Sequence, residues 1–156
     1  YGLAGDVAVE SGGFGGEKPP RVSISLTNQG SEAIGLETGN RPVIGEQYST
    51  SPERLWLLEP GRADTDSMKQ SEDGCWITAE PVGVTEALYK TKIVQGQRKS
   101  VSAELFADGD HFEDHCPAED TYRFEQRYQA YRQQDESGEW TVTGEFRWGF
   151  SLRVEV

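Results

Sequence analysis

The sequence predicts an all-β protein, an immunoglobulin-like antiparallel β-sandwich of about seven to nine strands. Three observations carry this. Short runs alternate apolar and polar residues with a period of two. Turn signals built on glycine and proline separate them at regular spacing. No run of helical period is long enough to make a convincing helix. The 18 glycines, 7 prolines and 4 tryptophans agree with this class. At 156 residues the chain makes one domain, large enough to bury roughly 70% of the surface its unfolded form exposes.

Residues 1–10, YGLAGDVAVE, place Tyr1, Leu3, Val7 and Val9 on one face of a strand. Tyr1-Gly2-Leu3 reads as the start of that strand rather than as a leader peptide. Residues 11–20, SGGFGGEKPP, hold four glycines and two prolines and read as a loose linker. The sandwich proper is expected over 21–156. It opens with Val22, Ile24 and Leu26, a polar turn at 28–30, and Ile34 and Leu36, the pattern of a hairpin.

Residues 38–53 read as loop, 54–61 as a buried strand closed by Pro-Gly, and 62–73 as a polar, mobile stretch. GCWITAEP gives a short strand, and 86–94 reads as another. Val101, Ala103 and Leu105 alternate, 107–120 form an acidic loop, and a strand covers 121–131. In the final 17 residues every even position except Gly144 is apolar or aromatic, so one inward face is expected from Trp140 to Val156. A strand of that length would span about 56 Å, so a bend at Gly144 and Gly149 is expected.

The net charge of −12, from 27 acidic and 15 basic residues, argues against nucleic acid and anionic lipid as partners. No stretch approaches the roughly 20 apolar residues of a membrane span, so no membrane insertion is expected. Ten arginines outnumber five lysines, and such acid-rich, lysine-poor composition is the kind found in proteins of salt-loving microbes.

Cys75 and Cys116 are the two cysteines. They can be a disulfide, two buried thiols, or half of a metal site. Zinc needs about four ligands and no C-x-x-C is present, so the disulfide is the favoured reading. It would staple the acidic loop to the strand beginning at Cys75-Trp76. It also implies an oxidising, extracellular setting.

The order GCW (74–76), IVQGQRKSVSAELF (93–106), HCPAEDTYRFEQRY (115–128) and FRWGFSLRVEV (146–156) resembles an immunoglobulin-like domain of exported haloarchaeal proteins. It is also distantly similar to intracellular proteinase-inhibitor domains of the BsuPI type. The resemblance spans roughly residues 21–156 and implies a fold. The cysteine pair and the long acidic loops depart from the inhibitor pattern, so inhibition is not carried over.

The acidic loop holds Asp108, Asp110 and Asp114 beside His111 and His115. A calcium loop counted from Asp108 would need glycine at its sixth position, where Glu113 stands. The loop therefore reads as solvated, with weak divalent-cation binding at Asp108, Asp110 and Asp114 as the remaining reading. No nucleophile–base pair, phosphate loop or dinucleotide fingerprint occurs, so neither catalysis nor a cofactor is expected. Trp140, Phe146, Trp148 and Phe150 read as core before they read as a carbohydrate platform. Two roles follow as expectations. One is a surface-filament subunit that self-associates by donating its first strand to a neighbouring sandwich. The other is a monomeric binding module with exposed aromatics at Tyr48, Trp56 and Phe112.

Overall fold

The computed structural model describes residues 2–52, 54–112, 116–133 and 138–155. Two sheets pack face to face, and just over half of the chain is strand. The larger sheet holds β1 (Leu3–Ser11), β2 (Arg21–Asn28), β9 (Arg98–Ala107), β5 (Leu55–Leu58) and β4 (Gln47–Tyr48) in that spatial order. The short strands β6 (Met68–Gln70) and β7 (Trp76–Thr78) join it through a single parallel bridge from Ile77 to Ala107. The smaller sheet runs β11 (Trp140–Val154), β10 (Asp120–Gln133), β3 (Ile34–Glu37) and β8 (Lys90–Ile93). Eleven strands among the described residues replace the expected seven to nine, because β4 and β6, of two and three residues, are too short to show a period. The stretch 62–73 is likewise structured, by a 3-10 turn at Arg62–Asp64 and by β6.

The core lies between the sheets. Val22, Ile24 and Leu26 of β2 face Leu36, Tyr122, Phe124 and Tyr128, and all seven are essentially inaccessible. Phe124 stacks on Phe150 and Tyr128 on Phe146, with ring centroids 5.4 and 5.0 Å apart. Alternation along β2 and β10 produces this, since a period of two sends every second side chain to one face. A smaller cluster of Leu58, Met68 and Phe106 covers the opposite side of the larger sheet.

The expected hairpin from Val22 to Leu36 is not one. β2 pairs with β1 and β9, whereas β3 pairs with β10 and β8 in the other sheet. The polar segment 28–33 is therefore an arch between sheets, and Asn28 holds it. Its Nδ2 donates to the carbonyls of Glu32 (2.7 Å) and Ile93 (2.9 Å), and its Oδ1 accepts from the Gly30 amide (2.9 Å). A buried polar side chain satisfied in this way fixes its loop.

The single inward face expected for β11 is also corrected. The register between β10 and β11 shifts where Ala130 pairs Gly144 and Tyr131 pairs Val142, leaving Thr143 as the extra residue of a bulge. Phe146, Trp148 and Phe150 lie on the core side. Beyond the bulge the parity flips. Val142 is 56% exposed, and Trp140 lies over Gly35 on the outer face with the Lys92 ammonium 5.8 Å from its ring.

Candidate functional site

The features that could serve assembly or binding concentrate along one side of the sandwich, where the edge strands β1 and β11 face each other across an open seam. Among the described residues β1 pairs only with β2, antiparallel, from Leu3 opposite Asn28 to Val9 opposite Val22. Leu3, Gly5, Val7 and Val9 therefore project to the same side as Val22, Ile24 and Leu26. Of the strand residues expected to mediate assembly, Leu3 and Val7 pack half-buried against the core, Val9 is 64% exposed, and Tyr1 lies outside the described residues.

No residue of β1 is fully buried. Two half-buried aliphatic side chains contribute only about 2 kcal/mol by area. The outer side adds ion pairs from Asp6 to Arg98 (3.6 Å) and from Glu10 to Arg21 (4.0 Å), and Ser102 Oγ donates to Glu10 Oε1 (3.1 Å). These groups are solvated, and exposed pairs are worth about 0–1 kcal/mol each.

Clefts line the seam. One of about 200 Å³ lies between Leu3, Gly5, Leu26, Phe146 and Trp148. A second, of about 290 Å³ and largely apolar, opens at the other end between Val9, Phe14, Leu105, Leu152 and the Cys75–Cys116 bridge. At the centre the Trp148 ring lies directly against the Gly5 backbone. A Cβ built on Gly5 would fall 2.2–2.4 Å from three ring atoms.

The connection from β1 to β2 is not loose. The Trp76 amide donates to the Phe14 carbonyl (3.0 Å), and the Trp76 indole N–H and Gln70 Nε2 both donate to the Gly16 carbonyl (3.1 and 2.9 Å). Pro19 and Pro20 are buried. The residue that docks this segment is the tryptophan beside the first cysteine. The two cysteines form a disulfide, with Cα atoms 5.2 Å apart. It ties β7 to the segment leading into β10, and Trp76 meets Phe106 edge-on at 6.3 Å.

The acidic loop is more occupied than its composition suggests. Asp108 accepts from the Tyr48 hydroxyl at 2.5 Å and, through its other oxygen, from the Asp110 amide at 3.1 Å. It thereby caps the four-residue helical turn Gly109–Phe112. Asp114 lies outside the described residues. Among the described residues no three His, Cys, Asp or Glu side chains converge as a metal site. Tyr48 and Trp56 pack on each other at 4.6 Å and Phe112 packs against the core, so these three aromatics do not form an exposed platform.

Sequence reasoning missed a buried arginine. Arg41 is 8% exposed; its Nε donates to the Ile44 carbonyl (3.1 Å) and its Nη1 to that of Ser102 (3.0 Å), while Nη2 has no hydrogen-bond partner among the described residues. Burial pulls its pKa down, opposed by the charges of Glu46 and Glu59. Beside it, Val43 takes φ 70° at the centre of a γ-turn closed by the Ile44 amide on the Pro42 carbonyl (2.8 Å), and the Tyr128 hydroxyl donates to its carbonyl (2.6 Å). Nothing local in the sequence marks a β-branched residue for that conformation.

Compared with known proteins, the chain matches no family model, and no curated protein matches it. Among the described residues no helix is long and apolar enough to cross a membrane.

Proposed function

We propose that this chain is a non-enzymatic extracellular structural protein, the subunit of a surface filament joined by donation of β1 to a neighbouring sandwich. The observation that carries this is the character of β1. It is an edge strand with one pairing partner among the described residues, no fully buried residue and a nine-residue connection, lying over a seam lined with apolar clefts. A strand so attached is replaceable by the same strand of a neighbour, which would restore the same main-chain hydrogen bonds. Head-to-tail donation builds an open filament when the rotation between neighbours does not close a ring. The disulfide fits an oxidising compartment outside the cell, and the acid-rich surface fits a salty one.

A second reading, a monomeric binding module, rests on a different observation. Val84, Leu88 and Tyr89 are 40–63% exposed in a segment beside the edge strand β8. Light scattering after annealing at high protein concentration, with and without residues 1–12, separates the two. Polymers that disappear on truncation support exchange. A monomer in both states sinks the filament and turns attention to the Leu88 surface.

A further inference from the structure

We infer that Gly5 and Trp148 form a lock that decides which strand, and in which register, the edge of β2 accepts. The lock selects a second copy of this chain. The inference rests on the exchange reading above and names its partner.

Gly5 stands opposite Leu26 in the β1–β2 ladder. The Trp148 indole occupies the space where its side chain would be, with a hypothetical Cβ only 2.2 Å from the ring. Leu3 and Val7 flank this point and reach the core on either side of the indole. A strand seated here must therefore read large, none, large at alternate positions. A shift of one residue turns every side chain to the other face. A shift of two sets Leu3 or Val7 against the indole. Backbone pairing alone would accept almost any extended segment, as open sheet edges do. The indole narrows that promiscuity, because even an alanine at the central position meets the ring and forces it to shift. In the chain itself, Leu3-Ala4-Gly5-Asp6-Val7 meets the requirement.

The test uses full-length chains: Gly5→Leu, Trp148→Ala, both together, and Ala8→Leu as a control at an exposed position of the same strand. Melting temperature and mass by light scattering are measured for each alone, and for Gly5→Leu mixed with Trp148→Ala in equal amounts. Gly5→Leu alone is expected to melt lower and not assemble. The double variant is expected to regain most of the lost melting temperature, and Ala8→Leu to behave as the parent. Mixing the two single variants is expected to give polymers. The leucine-bearing strand of one chain fits the edge that has lost its indole in the other, while the glycine-bearing strand fits the intact indole in return.

Rescue in the double variant with no gain in mass on mixing would leave the lock standing within one chain. It would overturn both the second copy as its partner and the filament. A Gly5→Leu chain that melts and assembles like the parent, or a double variant with no recovery, would overturn the lock whatever the filament does.

Discussion

Tyr128 shows how one buried side chain carries a testable consequence. Burial alone drives its pKa far above the ordinary tyrosine value, and burial with the nearby Asp120 raises that of Tyr122. The Tyr128 phenol stays neutral in the folded state well past the pH, near 10, at which an unfolded tyrosine ionises, and that of Tyr122 shifts in the same direction. Above that pH the unfolded chain binds fewer protons than the folded one, so stability falls as pH rises and is unaffected below it. A melting-temperature profile from pH 8 to 12 should be flat and then drop beyond about 10. Tyr128→Phe should soften the drop while lowering stability by about 1–3 kcal/mol at pH 7, because the Val43 carbonyl loses its donor. Asn28→Ala should cost at least as much, read by urea melts, since it unpins the arch at three hydrogen bonds. Neither role is legible in the sequence. Asn28 looks like an ordinary turn residue, and Gly5 looks like any glycine in a strand. Their partners Ile93 and Trp148 lie 65 and 143 positions away in the chain.

At the scale of elements, the sequence marks strands well and their neighbours poorly. β2, β9 and β10 fall where alternation puts them, because period two is a local property of one strand, and β5 falls where a compact apolar run closed by Pro-Gly puts it. Pairing is not local. A polar turn between two alternating runs fits a hairpin and an arch equally well, and the distant partners of β2 and β3, with the buried contacts of Asn28, define the arch. In β11, one extra residue reverses the parity. Trp140 therefore leaves the core face that Trp148 occupies, although an apolar alternation interrupted only by Gly144 predicts the opposite. The disulfide is legible from count and context, and its mechanical role extends beyond its own loop. Replacing both cysteines with alanine should lower stability by about 4 kcal/mol in the chain-entropy account for 41 residues. Hydrogen exchange should quicken first at the Trp76 amide, because the strand that anchors the 13–16 segment loses its tether.

For the whole molecule, the net charge of −12 sets the response to salt. Raising ionic strength from about 0.01 to 0.15 M shortens the Debye length from about 30 to 8 Å. This weakens repulsion among the excess carboxylates more than it weakens short ion pairs such as Arg62–Glu46 at 2.9 Å. Melting temperature should therefore rise with salt. A fall would mean that the exposed pairs outweigh the repulsion.

The nine residues between β1 and β2 also bear on where filaments could form. A short connection holds β1 near its own edge at an effective concentration on the order of millimolar. The anchoring of Phe14 and Gly16 by Trp76 and Gln70 strengthens that advantage. In dilute solution each chain should close on itself and remain a folded, storable monomer. Exchange between copies gains ground only where chains are crowded to comparable density, as at a site of export on a surface. On the proposed filament function, growth would be a matter of place: the same strand that keeps a lone chain inert would join it to its neighbour once many copies meet.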